Sequence, residues 1–309
     1  MGRHARRRRP RGRCRAPGRG HELSRDYGRS GADEDDVRVR PNRRGSRPRT
    51  KDRPAHSDAV PAFVIAVDRG RSHCLVGAGT ADERVVTSMR ARELGRQGVV
   101  VGDRVGLVGD TTGQTDTLAR IVRIDERVTV LRRTADDDDP VERVVVANAD
   151  QLVVVAAVAD PEPRSRLVDR CLVAAYVAGM RPLLVLTKGD LRPADEVLRT
   201  WAPLGLEAVV TRRGPDGLQG LDAVRDVLRG RTSVLVGHSG VGKSTLVNAL
   251  VPDADRATGH VNAVTGRGRH TSTSMAALAL PGGDGWVVDT PGIRSFGLAH
   301  VDPEAVLHA

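Results

Sequence analysis

The hydrophobic positions of this chain are distributed unevenly along its length. Residues 1–58 hold almost no apolar side chains and many Arg, Gly and Pro residues. Such a segment cannot offset its ordering entropy by burial, so we expect a disordered N-terminal arm. The two regions that follow, 59–140 and 141–300, carry regular apolar patterns and are predicted to be folded domains.

The first of these regions contains five short β-prone runs separated by polar turns. The runs are AFVIAV, SHCLVG, RVVTSM, DRVGLV and TLARIVRI. Five short strands in a segment of this length predict a small β-barrel of the oligonucleotide-binding type. The acidic run at 136–139, followed by Pro140, is interpreted as the loop that leaves the barrel.

The second region alternates apolar runs with amphipathic segments. The runs QLVVVAAV, PLLVLT, LEAVVT and TSVLVG are predicted strands, while RSRLVDRCLVAAYVAG, DEVLRTWAPLG and GLDAVRDVLRG have helical spacing. This alternation predicts an α/β fold with a mostly parallel sheet covered on both faces. Residues 301–309 would begin a further segment, in which Asp302 and Pro303 are typical of a helix start.

The positive charge of the chain is concentrated in the arm. The whole chain has a net charge of +10, of which residues 1–58 carry +11 and the remainder −1. An arm of this kind attracts RNA, DNA or anionic membranes without selecting one of them. A content of 39% hydrophobic residues excludes a wholly disordered protein.

Two further classes of protein are disfavoured by the same sequence. No apolar run approaches the roughly 20 residues that a membrane-spanning helix needs. The three cysteines lack the C-x-x-C spacing of a zinc site and form no disulfide framework. We therefore expect a cytoplasmic protein with no membrane partner.

The strongest motif is a phosphate-binding loop. Residues 237–244 have the sequence GHSGVGKS, which matches G-x-x-x-x-G-K-[ST], between the strand TSVLVG and a predicted helix KSTLVNAL. In such a loop the backbone N–H groups face phosphate oxygens, Lys243 reaches the terminal phosphates and the Ser244 hydroxyl binds Mg²⁺. The predicted nucleotide-binding residues are Gly237, His238, Ser239, Gly240, Val241, Gly242, Lys243, Ser244 and Thr245.

A second motif, TKGD, closes the strand PLLVLT with Thr187, Lys188, Gly189 and Asp190. It resembles the guanine-recognition element [NT]-K-x-D of P-loop GTPases, whose carboxylate accepts hydrogen bonds from guanine N1–H and N2–H₂. Adenine lacks these donors, so Asp190 would select GTP. An ordinary turn at the end of a strand is the alternative interpretation of this tetrapeptide. Only three lysines occur among the 49 basic residues, and two of them fall in these two motifs.

A third motif, DTPG at 289–292, ends the predicted strand WVVDT. It matches D-x-x-G, in which the aspartate acts on Mg²⁺ or its water and the glycine N–H contacts the γ-phosphate. Asp289 and Gly292 are therefore predicted to belong to the site.

The order of the motifs is that of a circularly permuted GTPase, because TKGD precedes the phosphate loop. The chain closely resembles the ribosome small subunit-dependent GTPase A family (RsgA, also called YjeQ) over about residues 37–309. The segments that carry the likeness are VRVRP, ANADQ, TKGDL, GHSGVGKSTLVNAL, TGRGRHTSTS and DTPGIRSFGLAH.

The resemblance implies a barrel followed by a permuted GTPase domain that binds GTP, GDP and Mg²⁺. It further implies slow hydrolysis of GTP to GDP and phosphate, stimulation by the small (30S) ribosomal subunit, and a role in late maturation of that subunit. The expected partners are the small subunit and its 16S rRNA, contacted through the barrel and the basic arm. We expect the protein to be a monomer.

Hydrolysis requires a group that orients the attacking water. The residue after D-x-x-G, a Gln in Ras-like enzymes, is Ile293 here, which cannot do so. The polar stretch 256–274 is the candidate switch I loop. The resemblance supports His270 as the water-orienting residue, and the hydroxyl of Thr271 or Thr273 would complete the Mg²⁺ shell. A surface histidine without a role is the alternative for His270.

The sequence departs from the family pattern in three places. The zinc-binding Cys/His domain of the family has no ligands in this sequence, which we expect to be incomplete or naturally shortened. Thr187 stands where Asn is commoner, and Thr211 and Arg212 occupy the place of the Ser-Ala element near guanine O6. Two other functions stay open: an ATP-using P-loop enzyme such as a kinase, and a nucleotide-gated RNA-binding protein with negligible turnover.

Overall fold

The computed structural model describes residues 56–68, 70–95, 97–134, 142–252, 275–290 and 298. Most of the predicted arm, the acidic run, the candidate switch I loop and the final segment therefore lie outside the described residues. Among the helices that are described, none has the length and apolar character needed to cross a membrane.

The first folded part is a closed barrel of five strands. These are β1 (Val60–Asp68), β2 (Arg71–Val76), β3 (Arg84–Arg90), β4 (Arg104–Gly109) and β5 (Ala119–Ile124). Strand β1 pairs with both β2 and β4, β3 pairs with β2 and β5, and β5 pairs with β4, so the ring closes. The interior is filled by Val64, Cys74, Val76, Val86, Val105, Leu107, Ala119 and Ile121. The five predicted runs are these strands, and the barrel prediction is confirmed.

A two-stranded hairpin that the sequence analysis did not predict follows the barrel. It consists of β6 (Val130–Arg133) and β7 (Arg143–Ala147). Leu131 and Val146 are buried in a hydrophobic cluster that also holds Leu152 and Val154 of the following domain. The domain boundary expected near residue 140 falls between the two strands of this hairpin.

The second folded part alternates strands and helices, as predicted. Its elements are β8 (Gln151–Ala157), α1 (Ser165–Val177), β9 (Arg181–Thr187), α2 (Asp195–Trp201), β10 (Ala208–Val210), β11 (Arg212–Gly214), β12 (Gly217–Gln219), α3 (Leu221–Leu228), β13 (Arg231–Gly237), α4 (Lys243–Leu250), β14 (Ala276–Ala279) and β15 (Gly285–Asp289). The strand order is β10-β9-β8-β13-β15-β14, in which only β14 runs antiparallel to its neighbour in this part of the sheet. Strands β11 and β12 form a separate small hairpin.

Helices cover both faces of this sheet. On one face, α1 and α2 bury Leu172 and Trp201 in the cluster that also holds Val154 of β8. On the other face, α3 and α4 bury Leu228 and Leu246. Strands covered in this way must be apolar on both sides, which explains why the run at 151–157 shows no polar alternation and is buried throughout.

Backbone pairing joins the barrel to the parallel sheet. Strand β1 pairs antiparallel with β14 at Ala66 and Ala276, so the barrel and the second sheet share one continuous series of strands. Phe63 of β1 packs on Trp286 of β15 with the ring centroids 5.3 Å apart. The barrel is therefore packed directly on the strands that lead to the nucleotide motifs.

A hydrogen-bonded junction strengthens this attachment. Asn148 adopts the left-handed conformation, and its side-chain amide donates to the Gly102 carbonyl at 2.9 Å. Its side-chain oxygen accepts the backbone N–H of Val128 at 2.8 Å. A Cβ at Gly102 would lie 1.9 Å from the Ala147 carbonyl oxygen, so this close approach requires glycine.

Candidate functional site

The three nucleotide motifs meet at one edge of the parallel sheet. Strands β8, β9, β13 and β15 are parallel neighbours, so their carboxyl ends lie at the same edge. The TKGD motif closes β9, the phosphate loop follows β13, and Asp289 is the last residue of β15. Ligands of open α/β sheets bind at this edge.

The phosphate loop connects β13 to α4, as the motif predicted. Gly237 ends the strand and Lys243 begins the helix. Gly240 and Gly242 have φ angles of +83° and +89°, which residues with a side chain rarely adopt. A Cβ at Gly237 would stand 2.5 Å from the carbonyl oxygen of Val155 on β8, so that position also requires glycine.

The other predicted residues of the loop face solvent to differing degrees. Ser239, Ser244 and Thr245 are exposed, and His238 is half-buried with its Nδ1 2.8 Å from the Ser239 carbonyl oxygen. Val241 is buried. An anion at the amino end of α4 therefore meets hydroxyl and backbone groups, together with the positive end of the helix dipole.

Lys243 and Asp289 connect the phosphate loop to β15. The Lys243 Nζ contacts the Asp289 Oδ1, and the two side chains are 10% and 29% exposed. The next residue, Thr290, is buried and donates its hydroxyl to the Leu235 carbonyl at 2.5 Å, which anchors this strand end to β13. The two charges that the motifs assign to phosphate and metal binding are thus adjacent.

The TKGD loop is held by contacts on both sides. Thr187 is buried, and its hydroxyl donates to the Val241 carbonyl in the phosphate loop. Lys188 has a left-handed φ of +58°, and its Nζ contacts the carbonyl oxygen of Asp160. The N–H of Gly189 donates to the Thr211 carbonyl at 3.0 Å.

Asp190 is exposed at the end of this loop. Its Oδ1 accepts the backbone N–H of Arg213, in β11, at 2.8 Å. This hydrogen bond, together with the residue's own N–H, lowers the pKa of Asp190 below its usual value. The carboxylate is therefore ionised at neutral pH and keeps acceptor capacity on its second oxygen.

Sequence reasoning missed the connection between β8 and α1, residues 158–164. Its Asp160 carbonyl contacts Lys188, and Glu162 pairs with Arg192 at 3.1 Å. Pro161 lies beside the phosphate loop, 3.8 Å from where a Cβ of Gly240 would stand. The only available signal was its position at the carboxyl end of a buried strand, because the contacting atom of Asp160 is backbone.

The oxygen ligands at this edge fit a magnesium ion that also binds phosphate. Mg²⁺ is usually held by one or two protein oxygens, substrate phosphates and water. The Ser244 hydroxyl and the Asp289 carboxylate offer oxygens of this kind: Ser244 closes the phosphate loop, and Asp289 contacts the neighbouring Lys243. Within the described ranges, no group of three or more His, Cys, Asp or Glu residues could hold a metal by itself.

The predicted hydrolytic residues lie outside the described residues. These are His270, Thr271, Thr273 and Gly292. Their assignment stays a prediction, as does the absence of a water-orienting side chain at Ile293.

The chain matches a known protein family. The model of the RsgA GTPase matches residues 124–299, which include the parallel sheet and all three motifs. The small ribosomal subunit biogenesis GTPase RsgA of Chlorobaculum parvum is 40% identical over 228 residues, which cover 72% of each chain. The protein of the same name from Chlorobaculum tepidum is 40% identical over 252 residues, 79% of this chain and 77% of that one.

Solved structures give the same architecture. YjeQ from Thermotoga maritima has a TM-score of 0.58 at 25% identity, covering 80% of each chain. YloQ, described as a circularly permuted GTPase, has a TM-score of 0.56 at 22% identity, and that likeness concerns the fold alone.

Proposed function

The chain belongs to the RsgA GTPase family, and from this membership we propose that it binds GTP and hydrolyses it to GDP and phosphate during maturation of the small ribosomal subunit. The observation that carries the proposal is the meeting of TKGD, the phosphate loop and Asp289 at one sheet edge. A base-recognition loop fixed to a phosphate loop is the arrangement that binding a nucleoside triphosphate requires.

Asp190 supplies the selectivity for guanine in this proposal. Its ionised carboxylate accepts the N1–H and N2–H₂ donors of the base, while the Arg213 N–H keeps it oriented. Adenine presents an acceptor at N1 and has no amino group at C2, so it would leave the carboxylate without partners. Unpaired polar groups of this kind are the strongest source of discrimination between related ligands.

The phosphates lie on the loop at 237–245, where Lys243 and the amino end of α4 provide positive charge. Lys243 then exchanges its contact with Asp289 for phosphate oxygens. Ser244 and Asp289 would hold Mg²⁺, which neutralises charge that develops on the phosphates.

For hydrolysis we propose that His270 orients the attacking water, that Thr271 or Thr273 contributes a hydroxyl, and that the Gly292 N–H contacts the γ-phosphate. These assignments rest on the family likeness. A partner that orders the loop at 256–274 would raise the rate, because a loop that samples many conformations leaves the transition state unsupported.

The partner in this proposal is the small ribosomal subunit with its 16S rRNA, contacted by a cytoplasmic monomer. The relatives are named for biogenesis of that subunit. The barrel is of a type that binds oligonucleotides, and the arm at 1–58 carries a charge of +11, both of which suit RNA.

Phosphate release from GTP, measured with and without purified small subunits, tests the proposal. With GTP we expect slow phosphate release by the protein alone and a large increase when small subunits are added. With ATP we expect no phosphate release. The variant His270→Ala should lose the stimulated rate, whereas His56→Ala, which precedes β1, should retain it. Equal release with ATP and GTP would refute guanine selection, and an active His270→Ala would refute the catalytic assignment.

A further inference from the structure

Thr187, the first residue of the TKGD motif, directs its side chain away from solvent. The residue is 5% exposed, and its hydroxyl donates to the Val241 carbonyl of the phosphate loop. A Cβ placed on Gly242 would stand 3.5–3.8 Å from three side-chain atoms of Thr187. The side chain therefore packs on the backbone that leads directly into Lys243.

The chemistry of a hydroxyl limits what Thr187 can do from this position. A threonine has one O–H proton, and that proton is used on Val241. The second oxygen near the hydroxyl, the Ala156 carbonyl at 3.4 Å, is also an acceptor. Thr187 consequently has no proton left for an acceptor on a bound base, such as guanine N7 or O6.

We infer that Thr187 is a positioning residue for the phosphate loop and makes no contact with the base. This inference rests on the proposed binding of guanine nucleotides and refines it. Base recognition falls to Asp190 and to the backbone near Arg213, and the N7 atom of guanine is not recognised by residue 187. Loss of the Thr187 hydroxyl then weakens the grip on the phosphates and leaves base selection unchanged.

The backbone supports this division of roles. The Thr187 carbonyl accepts the N–H of Val158 at 2.9 Å, so the residue is fixed at both its main chain and its side chain. The same loop of β8–α1 holds Lys188 through Asp160. Thr187 thus ties the phosphate loop to the end of the buried strand β9, while Asp190 stands exposed three residues further along the chain.

The first experiment uses 7-deaza-GDP, in which C–H replaces N7, and the isosteric variant Thr187→Val. Dissociation constants for GDP and 7-deaza-GDP are measured by calorimetry with Mg²⁺ for wild type and variant. We expect Thr187→Val to weaken both ligands by the same factor, roughly three- to tenfold, as loss of one hydrogen bond predicts. A variant that weakens GDP but not 7-deaza-GDP would show that Thr187 binds N7 and would overturn the inference.

The second experiment compares GDP with guanosine, which has the base and the ribose but no phosphate. Because the loop at 237–244 holds the phosphates in the proposed function, Thr187→Val should weaken GDP while changing guanosine affinity less than twofold, and Thr187→Ser should restore GDP binding. An equal loss for both ligands would overturn the inference. The GDP-to-guanosine ratio is insensitive to partial unfolding, which lowers both affinities together. If wild type binds neither GDP nor 7-deaza-GDP, the proposed function itself fails.

Discussion

The ammonium of Lys243 contacts the carboxylate of Asp289, joining the first residue of α4 to the last residue of β15. The two residues are 46 positions apart in the chain and belong to different motifs. Each charge neutralises the other, and in the proposed function phosphate and Mg²⁺ would become their new partners. Nucleotide binding in the proposed function therefore replaces one ion pair with two sets of charged contacts.

Removal of the ammonium should abolish this exchange. We expect Lys243→Ala to weaken GTP binding by at least tenfold in calorimetry. The substitution removes the positive charge that contacts the phosphates, and it also leaves Asp289 without its partner. Lys243→Arg should not restore binding, since a planar guanidinium is too bulky for a position enclosed by the loop. Arg123→Ala removes an exposed positive charge from the barrel and is the control. Affinity close to wild type in Lys243→Ala would contradict the assignment of the loop.

The proposed base-recognition role of Asp190 predicts a change of specificity. Asp190→Asn replaces an acceptor oxygen with a donor amide, which suits the carbonyl at C2 of xanthine. We expect the preference to move from GTP toward xanthosine triphosphate in competition binding. Asp222→Asn, at an exposed position of α3, should leave the preference for GTP unchanged. An unaltered preference in Asp190→Asn would refute the assignment.

The junction between the barrel and the parallel sheet predicts a matched pair of stability effects. Gly102→Ala places a Cβ 1.9 Å from the Ala147 carbonyl oxygen, at a φ of +90°. Gly179→Ala also has a positive φ, of +67°, but its Cβ meets nothing within 4 Å. We expect Gly179→Ala to cost about 1 kcal/mol in urea unfolding, from backbone conformation alone. Gly102→Ala should cost at least about 2 kcal/mol, and equal costs would contradict the close approach.

A buried histidine in the barrel predicts a pH dependence of stability. His73 is 1% exposed, and neither ring nitrogen has a hydrogen-bond partner among the residues that the structure describes. Burial lowers its pKa, with the Asp68 carboxylate acting in the opposite direction and Arg71 in the same direction. The folded state therefore resists protonation while the unfolded chain takes up a proton near its usual pKa of 6.5. Stability should be lost as pH falls below that value, by at most about 1.4 kcal/mol per pH unit from this group.

His73→Leu should remove this part of the dependence, measured as the difference in unfolding free energy between pH 7.5 and pH 5.5. Thr87→Val alters the cross-strand neighbour of His73 and leaves the imidazole in place, so it should keep the dependence. If the two variants lose stability equally on acidification, His73 is not the group responsible.

The long elements could be predicted from the sequence because each buries a periodic apolar face. The five barrel strands, the strands β8, β9, β10 and β13 and the helices α1 to α4 follow that pattern. The hairpins β6–β7 and β11–β12 were not predicted. Strands β6, β11 and β12 have the sequences VLRR, RRG and GLQ, which hold too few apolar residues to form a run. Leu131 and Val146 of the first hairpin are nevertheless buried, in a cluster that also holds Leu152 and Trp201.

The site divides in the same way. Gly237, Lys243, Asp190 and Asp289 were predicted because each stands in a local motif, and the structure brings them to one sheet edge. The hydrogen bonds that position the TKGD motif join residues that are far apart in the sequence. Thr187 is 54 residues from Val241, Lys188 is 28 from Asp160, and Asp190 is 23 from Arg213. In all three cases one partner is a backbone atom, which no residue pattern specifies.

The apolar cluster shared by the barrel and the sheet limits how this chain can be divided. Ile65, Leu75 and Val101 of the barrel region pack in one cluster with Leu152 of β8. A fragment cut between β5 and β6 would expose both halves of that cluster to water, and each half would be prone to aggregate. The barrel is thus not an independently folding unit. A deletion of the barrel that is meant to measure lost RNA affinity would measure misfolding instead.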